Sequence, residues 1–234
     1  MKIKNSIYRR MFNLATACLT VLTATTLLTG NLGYADQEIP QEMSHTTVTM
    51  TQDKHFPDNE TPEQAVTRYR KGAEKRDAQS MNNLGSCYQS GDGVAKDIGQ
   101  AVYWYRKSAE LGYSMAMNNL GVCYLKGIGI ENDTVQAMAL FTKAAEDEVP
   151  VAYYNMAHCY LHGIGVKQNT QQALRWFHRA VEHNVTSAKI YLAMCYEYGI
   201  GTEKNIPQAI YWYKQATFYG DFRAQKALER LNAK

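Results

Sequence analysis

The chain has 234 residues, 45% of them hydrophobic and 20% charged, the proportions of an ordinary soluble folded protein. It carries 25 Lys+Arg against 22 Asp+Glu, and four of the bases fall within the first ten residues, so the remainder is close to neutral. That balance excludes an electrostatic claim on nucleic acid or on an anionic membrane as partner.

Residues 1–35 read as a secretory signal peptide. Lys2, Lys4, Arg9 and Arg10 form a positive n-region without acids, Met11 to Leu28 is mostly apolar, and Gly33-Tyr34-Ala35 places small residues at both positions that a signal peptidase inspects. Threonines dilute the apolar stretch too heavily for a retained membrane span, so no span is expected in the mature chain. Arg9-Arg10-Met11-Phe12 also has the look of a twin-arginine signal, but no cofactor site calls for export in the folded state. Cys18 lies inside the apolar stretch, not at its end, and makes a poor lipidation box. A periplasmic or secreted location of the Sec type is expected. Residues 36–60 are polar, contain prolines and hold no sustained period, so they read as a flexible mature N-terminus.

From residue 61 a single period governs the chain. Cys87, Cys123, Cys159 and Cys195 recur every 36 residues, each followed by a tyrosine. A fixed period of this size means stacked supersecondary units. It also argues against an enzyme, since catalytic residues are usually unique. Each unit predicts two helices. The first carries Leu84-Gly85, Leu120-Gly121, Met156-Ala157 or Leu192-Ala193 and ends at a Gly-x-Gly: Gly91/Gly93, Gly127/Gly129, Gly163/Gly165 and Gly199/Gly201. The second starts at Asp97, Asp133, Asn169 or Asn205, with Gln100, Gln136, Gln172 or Gln208 three residues on, an Asx form of the capping box. Its apolar face repeats at i, i+4 and i+8, as in Ala137/Phe141/Ala145. Thr61, Pro62 and Gln64 open the array with a helix of the second kind. Ala224 and Leu228 close it with one of the first kind, whose outside is made polar by Glu229, Arg230 and Lys234. The expected fold over 61–234 is all-α, a right-handed α/α superhelical solenoid of antiparallel helix pairs with a 36-residue repeat and a concave side.

These residues resemble the Sel-one-like repeat family, a relative of the tetratricopeptide repeats. The match lies in Leu-Gly-x-x-Tyr, in Gly91-Asp92-Gly93-Val94 and Gly163-Ile164-Gly165-Val166, and in Trp104-Tyr105 and Trp212-Tyr213. It covers about 170 residues in four successive copies. Departures are local: Met156-Ala157 stands for Leu-Gly, and Leu140-Phe141 for Trp-Tyr. The resemblance implies a scaffold or adaptor that binds a protein or peptide partner on its concave face without catalysis. The partner could be an envelope protein, a toxic effector or a host protein. The concrete versions are an envelope adaptor, a secreted host-contact factor, and a periplasmic immunity protein that neutralises an effector such as a lipase. A β-lactam-binding or hydrolysing enzyme is a remote further version. The chain lacks the paired cysteines of those relatives and any Ser-x-x-Lys.

Asn83, Asn119 and Asn155 precede the Leu-Gly-type pair, and Tyr191 interrupts the run. In tetratricopeptide proteins an asparagine at the matching place can face the groove and bind a partner's backbone, a task that suits an amide because it both donates and accepts. The alternative is a bond within the repeat. Positions that differ between repeats should set specificity: Asn82, Asn118, Tyr154 and Ile190; Ser86, Val122, His158 and Met194; Gln89, Leu125, Leu161 and Glu197. The middle of this surface is apolar and aromatic, which suits a protein partner, although some of it could pack against the N-terminal segment. His158 and His162 have a spacing that can bind zinc, but with no Glu beside His158 they read as exposed groove residues, not as a metal site.

The four repeated cysteines read as packing residues. Equivalent positions on stacked helices lie about 8–10 Å apart, beyond the roughly 4.4–6.8 Å between Cα atoms that a disulfide needs. Glu146-Asp147-Glu148 reads as a solvated helix end. No nucleophile elbow, P-loop, dinucleotide fingerprint or paired-carboxylate site occurs, and no cofactor is expected.

Overall fold

A computed structural model describes residues 39–43, 48–50, 57 and 59–232. The expected signal peptide lies outside the described residues. Among those residues the structure is all-helical: α1 (Pro62–Glu74), α2 (Ala78–Ser90), α3 (Ile98–Glu110), α4 (Ser114–Lys126), α5 (Thr134–Glu146), α6 (Pro150–His162), α7 (Thr170–Glu182), α8 (Ala188–Tyr198), α9 (Ile206–Phe218) and α10 (Phe222–Asn232), preceded by a 3-10 turn at Gln41–Met43. Each helix packs on the one before it and the one after it. The pairs α2–α3, α4–α5, α6–α7 and α8–α9 are the four repeats, with α1 and α10 as the expected extra helices at either end. This is the expected α/α solenoid.

The odd-numbered helices begin as their caps dictate. At Thr61 the box is complete: Gln64 N donates to Thr61 Oγ1 at 3.4 Å and Thr61 N donates to Gln64 Oε1 at 2.9 Å. At the Asx caps the working bond is the one accepted from the glutamine backbone N–H, at 2.9 Å for Asp97 and Asp133 and 3.0 Å for Asn169 and Asn205. A carboxylate or amide oxygen there satisfies one of the orphan donors of the first turn.

The buried face of these helices is slightly rotated from the expected one. Its first two members are buried in every copy, as in Ala101/Tyr105 and Ala173/Phe177. Of the i+8 members, Ala109, Val181 and Thr217 are half-buried. The residue at i+7 takes that place in the repeats: Ser108, Ala144, Ala180 and Ala216 are all buried. An α-helix turns by 3.6 residues, so i+7 stays closer than i+8 to the line through i and i+4.

Two glycine positions fix how closely the repeats approach. A Cβ on Gly85 would meet the Tyr105 ring at 2.9 Å, so the small residue lets the two helices of one repeat touch. A Cβ on Gly165 would collide with the Thr134 carbonyl at the start of α5 in the preceding repeat. The turn after α6 thus rests on its neighbour's backbone.

A left-handed residue follows each odd-numbered helix, at Arg76, Gly112, Glu148, Asn184 and Gly220, again 36 residues apart. Arg76 (φ 62°) and Glu148 (φ 60°) hold it against the preference of a branched Cα. The Glu146-Asp147-Glu148 run is exposed, as expected, and Glu148 carries the strain of the turn.

Cys87, Cys123, Cys159 and Cys195 are buried thiols, one per repeat in the same packing slot. Burial pushes Cys123, Cys159 and Cys195 up to about 12, well away from a reactive thiolate. No helix among the described residues is long and apolar enough to cross a membrane.

Candidate partner-binding face

The even-numbered helices carry every residue singled out from the sequence as a candidate contact. They divide into an amide half and an aromatic half.

In the amide half, five asparagines form one relay. Asn155 Nδ2 donates to Asn118 Oδ1 at 2.7 Å, Asn118 Nδ2 to Asn119 Oδ1 at 3.4 Å, Asn119 Nδ2 to Asn82 Oδ1 at 3.0 Å, and Asn82 Nδ2 to Asn83 Oδ1 at 3.3 Å. All five are buried. The relay satisfies groups that would otherwise be costly to bury. Asn83 and Asn119 thus accept a bond within their own repeats, the second of the two alternatives, while Asn155 bonds to the preceding repeat and to main chain of the same protein.

The relay ends on the main chain of one residue, Thr49. Thr49 N donates to Asn155 Oδ1 at 2.8 Å, and Asn155 Nδ2 donates to Thr49 O at 2.8 Å. Asn118 Nδ2 reaches the same carbonyl at 3.3 Å. The Asn155 amide therefore treats Thr49 as a neighbouring β-strand would, taking its N–H and its C=O together. Lys126 Nζ donates to Val48 O at 3.1 Å, and Gln89 Nε2 lies 2.9 Å from Met50 Sδ. Val48 is buried, Met50 is half-buried against two core clusters, and the Thr49 side chain is exposed. Sequence periodicity assigns no place to this segment. The signal available was its alternation, with apolar Val48 and Met50 on either side of Thr49 and with Ile39 and Met43 upstream.

In the aromatic half, the same helical positions carry different residues. Tyr154 occupies the slot of Asn82 and Asn118, and Tyr191 that of Asn83, Asn119 and Asn155. His158 sits among Tyr191 (4.5 Å between ring centroids), Tyr154 (4.6 Å) and Phe177 (5.5 Å), with His162 stacked at 6.0 Å. The sequence reading of His158 and His162 as exposed is corrected here. His158 is fully buried because the aromatic rings close over it, and His162 is half-buried. Neither ring nitrogen of His158 has a hydrogen-bond partner, nor has Nε2 of His162. Burial, and then repulsion from His162, hold the His158 imidazole down at about 3. Burial also lowers His162, opposed by a bond to the Met43 backbone. Met43 itself is completely buried and belongs to the same core cluster as Tyr154, Leu161, Ile190, Tyr191 and Met194.

Glu197 is engaged at the end of the stack. Its carboxylate pairs with Arg230 of α10 at 2.7 Å and accepts from the Tyr213 hydroxyl at 2.7 Å. Burial, and then that bond to a carboxylate, raise the Tyr213 hydroxyl above its ordinary value. Gln89 has the matching role in the first repeat, accepting from Tyr105 Oη at 2.6 Å. Among the described residues, no group of three His, Cys, Asp or Glu is placed to hold a metal ion.

Fold and face together define an α-solenoid whose even-numbered helices hold residues of the chain's own amino-terminal segment, among them Met43 and Thr49. The Sel1 repeat model matches residues 78–113, 114–148, 150–185 and 186–217, more than half of the chain. The chain belongs to the Sel1 repeat family. Among solved structures it is similar to a Sel1 repeat protein from Oxalobacter formigenes, with 34% identity, a TM-score of 0.67, and coverage of 72% of this chain and 69% of that one. It is similar to a protective antigen of uropathogenic Escherichia coli strains with the same repeat fold, with 30% identity and a TM-score of 0.65. That match covers 72% of this chain but 36% of the antigen, so this chain spans little more than a third of its length. An immunity protein of Pseudomonas aeruginosa matches at 25% identity with a TM-score of 0.50, over 72% of this chain and 62% of that one. No curated protein sequence matches the chain.

Proposed function

We propose that this protein is an exported scaffold without catalysis, which binds an extended segment of a partner protein along the groove lined by its even-numbered helices. The observation that carries the reading is the pair of hydrogen bonds between the Asn155 amide and the main chain of one residue, the N–H and C=O of Thr49, both at 2.8 Å. An amide set in this way recognises main chain, and the apolar and aromatic surface beside it accepts side chains. The mature chain has a nearly neutral charge and no stripe of bases, which supports a protein partner and not a nucleic acid. The amino-terminal charge and apolar pattern supports export to the periplasm or beyond it.

The test is site-specific photo-crosslinking in cells. A photoreactive residue replacing Lys126, exposed and beside the Asn118–Asn155 clamp, should give adducts with another protein. Those adducts should disappear in Asn118→Ala/Asn155→Ala. The same residue at Arg175, exposed on α7, should give none. Adducts only from position 175 would overturn the reading.

One version gains from a specific observation. Similarity to the P. aeruginosa immunity protein supports a periplasmic immunity role in which the bound partner is a toxic effector. Expression in a sensitive cell, together with a toxic effector that the crosslinking captures, should restore growth. Continued killing would leave the adaptor or host-contact versions.

A further inference from the structure

We infer that the protein carries its own peptide in this groove: the segment containing Ile39–Met43 and Val48–Met50 is a resident occupant, and the external ligand is an extended peptide of the same kind that displaces it. The inference rests on the groove reading above and names what the groove selects.

The contacts divide into a part blind to sequence and a part that reads it. Asn155 and Asn118 bond to the N–H and C=O of Thr49, main-chain groups common to other residues. Proline cannot make the first of these bonds, since it has no N–H to give. Selection falls on the neighbours. Val48 and Met50 flank the clamped residue and both pack inward. Met43, five residues before Val48, is wholly buried beside the aromatic half. The ligand is therefore a peptide with an apolar residue on each side of the clamped one and a further apolar anchor upstream, which the resident presents at the end of its 3-10 turn.

One observation makes the resident displaceable. It is held by contacts that include the Thr49 clamp, Lys126 on Val48 O, Gln89 on Met50 Sδ, a bond of His162 to the Met43 backbone, and a contact of 3.5 Å from Tyr198 to Glu42. Yet it leaves three buried imidazole nitrogens, two on His158 and one on His162, without partners. Such groups cost free energy when dry, so a ligand that brings a donor or acceptor to them holds the groove better than the resident does. The resident's advantage is its tether. Joined to α1 through residues 51–60, it acts at an effective concentration on the order of millimolar.

The experiment uses the mature chain and a fluorescent peptide of residues 36–52, read by fluorescence anisotropy. Met43→Asp/Val48→Asp changes only the segment and leaves the repeat helices intact, which circular dichroism and the melting temperature check. The peptide should bind this variant at least about tenfold more tightly than it binds the wild-type chain, because the tethered competitor is gone. Peptides with Thr49→Ser should bind equally well, and peptides with Thr49→Pro should lose binding about tenfold or more, the cost of a missing main-chain donor. Equal affinity for the wild-type chain and the folded variant would overturn resident occupancy. If Asn118→Ala/Asn155→Ala still abolished binding in that case, the groove reading would stand. Binding indifferent to the asparagines and to Thr49→Pro would sink both, as would absence of binding to the folded Met43→Asp/Val48→Asp chain.

Discussion

The amide half and the aromatic half of the inner face are built on the same helical positions, yet they solve opposite problems. In α2, α4 and α6 the repeated asparagines pass hydrogen bonds from one to the next and end on the main chain of Thr49. In α6 and α8, Tyr154 and Tyr191 take those slots and enclose a histidine without partners. The amide half holds main chain, the N–H and C=O of Thr49. The aromatic half packs rings around a buried His158. A repeat scaffold obtains both by keeping asparagine in three copies at one position (Asn83, Asn119, Asn155) and in two at its neighbour (Asn82, Asn118), and placing Tyr191 and Tyr154 in the copies that follow.

The largest effect should come from the aromatic half. Phe177 is completely buried and stacks on Tyr191 at 5.4 Å. Phe177→Ala should lower stability by about 3–5 kcal/mol in urea denaturation, the usual cost of a buried phenylalanine. Asn155→Ala, in the amide half, should cost less, about 1–3 kcal/mol, because it removes the hydrogen bonds to Asn118 Oδ1 and to the Thr49 N–H and leaves Thr49 O with the longer bond from Asn118 Nδ2. If Asn155→Ala proved as costly as Phe177→Ala, the division between a recognition half and a packing half would fail.

A pH titration separates the halves further. His158 lies at about 3 in the folded chain against 6.5 ordinarily. The unfolded chain therefore takes up a proton that the folded chain refuses. This contribution to stability is complete above pH 6.5 and is lost as pH falls towards 3, with a slope approaching about 1.4 kcal/mol per pH unit. His158→Phe should flatten denaturation midpoints across that window, whereas Asn155→Ala should leave the slope as it is. The smallest effect is expected outside both halves. Glu148→Gly should stabilise the chain by about 1 kcal/mol by relieving a left-handed glutamate at φ 60°, measured as a rise in the denaturation midpoint.

Legibility differed along the chain for physical reasons. The helices were readable because their caps, Gly-x-Gly ends and small-residue contacts lie within one 36-residue unit and recur in register. The rotation of the buried face from i+8 to i+7 was within reach of the 3.6-residue turn but was obscured by the recurrence of alanines at i+8. The asparagines were recognisable as candidates because one position repeated them three times. That they join in a relay was not readable, since Asn155 meets Asn118 and Asn119 meets Asn82 across 37 residues, a diagonal step between copies. The fate of His158 was hidden too, because its burial depends on Tyr191 and Phe177 from neighbouring helices.

The sequence by itself determined the solenoid, its four repeats and its two terminal helices, because local hydrogen bonding and helix periodicity suffice to write them. It also determined that Cys87, Cys123, Cys159 and Cys195 would share one packing slot. Only the tertiary structure decided what lies against the inner face. Thr49 meets Asn155 across 106 residues of chain, and no local rule links them. A main-chain clamp accepts almost any residue, so the segment it holds carries no motif of its own to announce it.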